Sequence, residues 1–398
     1  MIKILMTNKT IKLLITFIII YFSAGFFVTN DLWPIPMIVS VVCALFFVLL
    51  YNNYKLNYNL LSFSLLLLST MWISLILNED NLLVYIYYTV GYLSAVLYVN
   101  KYSLSEFKEN FTNIMMCIAF CSAIAYVLYL ASPGLEYYNT FSNAKGTLYS
   151  NLLLFIHRVG SHRNFGFFWE PGAYQTFLNL ALFFELAKDE PRKKAIMLFI
   201  FNIITTFSTT GYIALFIILY IFVFSKKELK KMVPSLVLIF LAIFGFQDLF
   251  SSVLDSTSST VFGKLENFFY NEEYGNNWGA LTSSQIRYFS VVKVLEVFIN
   301  HPLIGVGYNN LNKLLFLFTS GMNTCTFLNY FAVYGMFYGI ICLLGYWNIS
   351  TILGRGKNKL LIFFLFFVIT MSENYIHSFI FYVFIFYGYK IDRVFLDM

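Results

Sequence analysis

Residues 58–77, YNLLSFSLLLLSTMWISLIL, and residues 81–99, NLLVYIYYTVGYLSAVLYV, are two long apolar segments that almost adjoin in this chain. Each segment is apolar enough and long enough to cross a bilayer as a helix, because a crossing helix needs roughly 17 to 25 residues. Only the short polar stretch Asn78-Glu79-Asp80 separates them. Two such segments in succession predict a polytopic membrane protein.

The composition of the whole chain agrees with this prediction. Of the 398 residues, 59% are hydrophobic and 12% are charged, and the mean hydropathy is +0.72. A compact soluble globule of this length would not have so few charges. We therefore expect an all-α membrane protein with about twelve spans, near residues 12–29, 35–51, 58–77, 81–99, 111–131, 171–187, 195–208, 210–225, 233–250, 322–347, 360–373 and 375–389.

The spans at 195–208 and 210–225 are short and could be one broken span. The basic loops that flank the pair, residues 188–194 and 226–231, favour two spans joined by a tight turn at 208–211. A single broken span would place one of these cationic loops on the outer side, against the rule that basic loops stay in the cytoplasm.

The spans place most of the 26 Lys and Arg residues in loops on one side of the membrane. The positive-inside rule assigns that side to the cytoplasm and both chain termini with it. The formal net charge of +6 is explained by these inner loops, so we expect no nucleic-acid partner. Seven cations fall on the outer side, and three of them are arginines: Lys145, Arg158, Arg163, Lys264, Arg287, Lys293 and Lys313. Because a guanidinium fork suits phosphate oxygens, this bias predicts a diphosphate ligand.

Two connections are long, residues 132–170 and 251–321, and both are predicted to be outside. Loops of this length in a compact protein are usually functional. Within the second loop, Ile286, Phe289, Val292 and Leu295 recur at helical spacing. This pattern predicts a helix over residues 285–299 that lies on the outer surface.

The positions of the charges and cysteines argue against other chemistries. Few ionisable residues fall in the middle of a span, whereas ion-coupled transporters need such groups at the bilayer midplane. The five cysteines lack the spacing of metal ligands or of a secreted disulfide framework. We therefore expect no metal and no cofactor, and transport becomes the weaker alternative.

Three blocks of sequence carry a resemblance. Residues 163–171, RNFGFFWEP, resemble the arginine, glycine, aromatic, acid, proline pattern that precedes a span in Wzy-type O-antigen and capsule polymerases. Residues 206–212, TFSTTGY, resemble the Ser/Thr and Gly signature after the next span. Arg287, followed by residues 301–310, HPLIGVGYNN, is similar to a motif of the wider O-antigen polymerase and ligase superfamily.

The resemblance implies a GT-C-like membrane glycosyltransferase that joins oligosaccharide repeat units carried on undecaprenyl diphosphate, without nucleotide or metal. It would work at the outer leaflet of the bacterial cytoplasmic membrane, surrounded by membrane lipids. A flippase and a chain-length regulator are the protein partners expected for such an enzyme. The alternatives are an O-antigen ligase of the same superfamily and a lipid-linked oligosaccharide flippase.

Family ligases usually carry a histidine about eleven residues before a glycine in a late span. Counting back from Gly335 gives Thr324 instead. This departure favours a polymerase over a ligase.

Candidate roles follow from the chemistry of the reaction. Arginines can stabilise the charge that develops on a departing diphosphate, and Glu170 or His301 could accept the proton of the acceptor hydroxyl. Glu170-Pro171 could instead simply begin a helix, and His301 could be a loop residue without a role. The candidate catalytic residues are Arg163, Arg287, Glu170 and His301, and the candidate substrate-binding residues are Arg158, His162, Gly305, Gly307 and Asn309.

Overall fold

The computed structural model describes residues 8–26, 57–143, 146–152, 154–225, 283–319, 323–354, 356 and 358–390. The spans predicted at 35–51 and 233–250 lie outside the described residues, as does the part of the second long loop from 251 to 282.

The described residues form mostly helices. In chain order these are α1 (Asn8–Ala24), α2 (Tyr58–Leu77), α3 (Leu82–Lys101), α4 (Leu104–Ala131), α5 (Pro171–Leu186), α6 (Lys193–Thr205), α7 (Thr209–Ser225), α8 (Ser283–Asn300), α9 (Tyr308–Thr319), α10 (Thr326–Leu353), α11 (Asn358–Thr370) and α12 (Phe379–Tyr389). A short 3₁₀ helix, Pro133–Tyr137, follows α4.

Four of the described helices, α2, α3, α4 and α10, are long and apolar enough to cross a membrane. Shorter apolar segments occur in α1, α7, α11 and α12. These lengths and compositions are consistent with the membrane protein that the sequence predicted. The predicted number of twelve spans stays a prediction.

Local sequence determines where the helices begin. Asn81 accepts a hydrogen bond from the backbone N–H of Leu83 at the start of α3. Ser103 and Glu106 form a reciprocal capping box at the start of α4. Pro171 occupies the first position of α5, where a missing N–H has no consequence because that N–H would lack a partner within the helix.

The helices alternate between two ends of the bundle, which we call the mouth end and the base end. The mouth end comprises residues 78–81, 132–170, 206–208, 301–307 and 371–378, and the base end comprises residues 102–103, 187–192 and Gly354. At the base, Lys12 of α1 pairs with Glu106 of α4. At the mouth, Phe26 beyond α1 donates its backbone N–H to Phe167 at 2.9 Å.

Helices α5 and α12 form the centre of the bundle. All residues of α5 are buried, and so are residues 380–389 of α12. Helix α5 packs against α4, α6 and α7, while α12 packs against α3 and α10. A helix that is apolar on every side must be surrounded by other helices or lipid, which explains why these two helices lie innermost.

The all-α prediction is wrong for one stretch of the first long loop. Three strands, β1 (Thr140–Ser142), β2 (Leu148–Leu152) and β3 (Phe155–Arg158), form an antiparallel sheet. The sheet has its own small core, in which Tyr149 and Ile156 pack with Phe26 and Phe165. These side chains let the loop bury apolar surface above the bundle without another helix.

The short segments after Pro191 form two separate helices, α6 and α7, joined by a turn at the mouth. In this turn Phe207 has a φ of 47°, a left-handed conformation that is uncommon for a non-glycine residue. The tight turn predicted from the basic loops is therefore present.

Candidate functional site

A network of buried amides fixes the segment 163–171 to the bundle. Asn164 donates its side-chain N–H to Asn202 at 3.0 Å and to Thr205 at 3.1 Å, and its backbone N–H to the carbonyl of Thr205 at 2.8 Å. Ser122 of α4 donates to the Asn164 amide oxygen at 2.8 Å. Buried polar groups that are fully hydrogen-bonded give rigid positions, so the residue before Asn164 is held at a defined place.

That residue is Arg163, and its side chain reaches the turn between α6 and α7. Its Nε donates to the backbone carbonyl of Thr206 at 2.9 Å. Arg287 of α8 reaches the start of α7, directly after this turn, where its Nη1 donates to the hydroxyl of Thr210 at 3.0 Å. Two arginines that are 124 positions apart in the sequence therefore converge on one five-residue stretch.

Two carboxyl groups lie at the start of α5. Glu170 directly precedes Pro171, and its side chain is exposed and makes no capping hydrogen bond to the helix. Glu373, from the connection between α11 and α12, is only 7% exposed. Its carboxyl oxygen lies so close to Gly172 that a Cβ at Gly172 would overlap it. The first turn of α5 thus has one exposed and one buried carboxyl group.

The four charged groups influence one another electrostatically. Burial lowers the pKa of Arg163, Glu170 raises it, and Arg287 lowers it. Burial raises the pKa of Glu373 well above its usual range, and Glu170 raises it further, while Arg287 and Arg163 oppose this shift. Together with the shared turn and the contact at Gly172, these couplings place Arg163, Arg287, Glu170 and Glu373 in one site.

The charges in this site are near one another but are not directly paired. Within the described part of the chain, neither arginine has a nitrogen within 4.0 Å of a carboxyl oxygen. Each uses a single side-chain N–H donor among those residues, out of the five that a guanidinium offers. Both guanidinium groups therefore have donors left for an oxyanion.

The glycines of the motif at 301–310 shape the backbone where α10 is interrupted. Gly335 interrupts α10 with φ 83° and ψ 178°, a conformation that only glycine adopts readily. The backbone of the 301–310 segment fills this break, since Gly307 donates to the carbonyl of Val333 at 3.1 Å and Met336 donates to that of Pro302 at 2.8 Å. Gly305, with φ 71°, packs so closely on Val333 that a Cβ would lie 2.5 Å from its carbonyl.

Asp80 anchors the end of this motif. Its carboxylate accepts the backbone N–H of Asn309 at 3.1 Å and the hydroxyl of Tyr85 at 3.2 Å. A carboxylate at the first N–H groups of a helix is favourable, so Asp80 stabilises the start of α9. Gly305 and Gly307 thus have packing roles, and a substrate contact for either glycine or for Asn309 stays a prediction.

The structure does not bring every predicted residue to the arginine site. His301 is exposed and directly follows α8, 14 positions after Arg287, which corresponds to about 21 Å of helix. Arg158 and His162 are exposed in and beside the sheet. Burial raises the pKa of Tyr149 in the same sheet, while Arg158 lowers it and Glu170 raises it, so the sheet lies beside the site.

Helix α8 lies across the mouth instead of running from one end of the bundle to the other. Its first turns contact α7 through Arg287, and the chain just after its end packs on α10. Ser290 and Val294 face the protein and are fully buried, whereas the predicted stripe residues Val292 and Leu295 are 38% and 41% exposed. The predicted helix is therefore present, with most of the described stripe turned away from the bundle.

Sequence reasoning missed Glu373 as a member of this site. It fell at the end of the apolar segment predicted as the span 360–373, and no motif drew attention to it. The available signal was physical, because an acid between two strongly apolar segments is costly to bury and such residues are usually functional.

Comparison with known protein families supports the resemblance seen in the sequence. A protein-family model described as O-antigen ligase matches residues 195–347. This segment of the chain is therefore similar to the O-antigen ligase family. No curated protein and no solved structure matches the chain.

The matched segment contains only part of the site. It includes the turn at 206–210, Arg287, and the glycine motif with the break in α10. Arg163, Glu170 and Glu373 lie outside it. The match agrees with the resemblance to the O-antigen polymerase and ligase superfamily, and it does not separate polymerases from ligases.

Proposed function

We propose that this protein is a polysaccharide polymerase that joins oligosaccharide repeat units carried on undecaprenyl diphosphate. The observation that carries the proposal is the convergence of Arg163 and Arg287 on the turn at 206–210, with donors left over on both side chains. Two guanidinium forks held in place from different elements suit the oxygens of a diphosphate.

In the proposed reaction the acceptor hydroxyl attacks the anomeric carbon of the donor glycan. A new glycosidic bond forms, the bond from that carbon to the diphosphate oxygen breaks, and undecaprenyl diphosphate leaves. Negative charge develops on the departing oxygen, and preorganised cations stabilise it most in a site with little water. Arg163 is well placed for this role because its guanidinium is substantially removed from solvent.

The proton of the acceptor hydroxyl needs a base. Glu170 is the better candidate, because it is exposed at the mouth and its carboxylate is not used to cap α5. His301 is separated from Arg287 by most of α8, so we no longer assign it this role. Arg158 and His162, at the adjacent sheet, would contact the more distant parts of the substrate.

The described cations support an orientation with the mouth outside the cytoplasm. Basic residues accumulate at the base end, among them Lys12, Lys101, Lys188, Arg192, Lys193 and Lys194. Basic loops are retained in the cytoplasm. We therefore infer a bacterial inner-membrane enzyme with cytoplasmic termini and with its site at the outer leaflet.

An O-antigen ligase is the second candidate, and the family description of residues 195–347 favours it. Deletion of the gene separates the two functions in a strain that makes lipopolysaccharide. Loss of a polymerase leaves single repeat units on the lipid A core. Loss of a ligase leaves a bare core and long glycan on its lipid carrier.

The direct test is to complement the deletion strain with variants and to display the glycans as an electrophoretic ladder. Arg287→Ala should remove the ladder while the protein still inserts in the membrane. Lys293→Ala is the matched control, since this cation on the same helix forms an exposed ion pair with Glu296, and it should give the wild-type ladder. A normal ladder with Arg287→Ala would contradict the proposal.

A further inference from the structure

A second polar site lies at the mouth, away from the arginines. It is an open groove of about 630 Å³ between the loop that joins α2 to α3 and one face of α9. This volume lies within the range of pockets that hold small ligands. The lining residues are Glu79, Asp80, Asn81, Asn309, Asn310, Asn312, Lys313 and Phe316.

Part of this lining is structural. Asp80 stabilises the start of α9, the Asn81 side chain caps α3, and the Asn310 amide donates to the carbonyl of Asn78 at 3.2 Å. These bonds join the two walls and hold the groove in a fixed shape. A preformed site loses less conformational freedom when a ligand binds.

The remaining polar side chains are not used within the protein. Across the described part of the chain, the side chains of Asn309, Asn312 and Glu79 take part in no hydrogen bond. A side-chain amide offers two donors and one acceptor oxygen. Two such amides on neighbouring turns of α9 can donate to and accept from adjacent hydroxyl groups of one ligand.

Phe316 adds an apolar surface beside these amides. Its side chain is 65% exposed and follows Asn312 by one helical turn. A sugar ring has hydroxyl groups at its edge and an apolar C–H face. The amides can bind the hydroxyl groups, and the aromatic ring can cover the C–H face.

The charge of the groove distinguishes it from the arginine site. Glu79 and Asp80 outnumber Lys313, so the lining has an excess of negative charge at neutral pH. The groove therefore repels phosphate, and it accepts neutral or amino-bearing groups.

The position of the groove relates it to the arginine site. The connections of α2 and α4 place residues 78–81 and the first long loop at the same end of the bundle. Helix α8 leads from Arg287 to the segment that precedes α9, and its 18 residues span about 27 Å. A glycan whose diphosphate lies at the arginines could therefore extend towards the groove.

We propose that this groove binds a non-acidic saccharide segment of the glycan substrate, remote from the bond that reacts. The inference rests on the proposed function, because the glycan is taken to be the substrate of the arginine site. Binding energy from a remote part of a substrate can position the reacting part.

The test uses the purified protein in detergent with two separate probes. One is the oligosaccharide released by mild acid from the lipid carrier of the deletion strain, which lacks the diphosphate. The other is inorganic pyrophosphate. Binding of each probe is measured by titration calorimetry for the wild type and for Asn309→Ala/Asn312→Ala, Arg163→Ala and Asn59→Ala, the last being an exposed asparagine at the base end of α2.

The groove variant should bind the oligosaccharide about tenfold more weakly, which is the effect of losing two or more ordinary hydrogen bonds, and should bind pyrophosphate as the wild type does. Arg163→Ala should show the reverse pattern, and Asn59→Ala should change neither. Unchanged oligosaccharide binding by the groove variant would contradict the proposal that the groove binds a saccharide. Unchanged pyrophosphate binding by Arg163→Ala would contradict the proposed function, and it would not affect the proposal that the groove binds a saccharide. If the double variant does not fold, Asn312→Ala alone decides the question.

Discussion

The two ends of the bundle differ in whether a buried carboxyl group is paired with cations. At the base, the fully buried carboxylate of Glu185 accepts from Arg192 Nε at 2.9 Å and Nη2 at 2.7 Å, and from Lys188 Nζ at 2.6 Å. At the mouth, Glu373 is almost as buried, yet among the described residues its carboxyl group has no cation within 4.0 Å.

The difference separates charges that are paired within the fold from charges that remain available to the proposed ligand. A buried charge with its full set of partners avoids most of the penalty of leaving water. Charges that lie close together without direct pairing retain this free-energy cost. A bound ligand of opposite charge can offset it. The mouth is therefore the place where an anion is expected, and the base is a structural clasp between α5 and α6.

Loss of the mouth arginines should lower activity more than any other change. A small loss of activity would contradict the difference between the two ends. We expect Arg163→Ala and Arg287→Ala each to lower polymer formation by about 10²- to 10³-fold, the usual effect of removing a group that stabilises developing charge. Lysine at either position should restore little activity, because the bidentate fork is lost. The measurement is glycan synthesis per folded protein in membranes.

The double arginine variant tests whether the two side chains act on the same group. Two groups that act on one diphosphate should not have additive effects, so the double variant should be little worse than the worse single variant. Full activity of the lysine variants would contradict recognition by the guanidinium fork.

Some residues at the mouth have a packing role, and a comparison of two glycine substitutions tests this role for Gly305. Gly305→Ala should cost about 2–4 kcal/mol, because φ is 71° and a Cβ would press on the backbone of Val333. Gly356→Ala is the control, with φ 59° but open space around the new Cβ, and should cost only about 1 kcal/mol. Thermal unfolding in detergent measures both, and equal losses would argue against the packing role of Gly305.

At the base, removal of the buried charge should affect stability without affecting chemistry. Glu185→Gln leaves Arg192 and Lys188 without a negatively charged partner, and we expect the free energy of unfolding to fall by about 2–3 kcal/mol. This is less than for a fully buried pair, because the two cations are 38% and 30% exposed. Thermal unfolding should show the loss, while activity per folded molecule stays at the wild-type level. A selective loss of activity would place Glu185 in the reaction and weaken the contrast between the two ends.

Much of the fold could be predicted from the sequence because hydrophobic length is a local property. The spans 58–77 and 81–99 correspond to α2 and α3 almost residue for residue. The separate helices α6 and α7 followed from the basic loops beside them. The sheet at 140–158 could not be predicted in this way, because short strands in a loop have no strong periodic signal and depend on partners such as Phe26.

The candidate site was only partly accessible from the sequence. Arg163 and Arg287 could be selected because an arginine outside the cytoplasm departs from the expected charge pattern. Their shared turn could not be predicted, because it depends on the amide network around Asn164 and on the path of α8. Glu373 enters the site through the packing of its connection against Gly172, which no local pattern reports.

The smallest predicted effect is the pH dependence that Glu373 gives to stability and to anion binding. It tests directly whether Glu373 shares a site with the two arginines. Its pKa is raised first by burial and then by Glu170, so ionisation in the folded protein is costly. Over the pH range from the usual glutamate pKa up to the raised value, the native state keeps a proton that the unfolded state has lost. The contribution of this group to stability is therefore complete at low pH and is lost as the pH rises through that range.

The same titration changes the charge that the proposed diphosphate ligand would meet. With Glu373 protonated, the two arginines and Glu170 leave the site with one net positive charge, and ionisation of Glu373 removes it. Pyrophosphate should therefore bind on the order of tenfold more weakly at high pH than at low pH. Glu373→Gln, which resembles the protonated form, should bind tightly at all pH values. Because pyrophosphate itself titrates, the two proteins are compared at each pH, and parallel curves would show that Glu373 does not share the site with the anion.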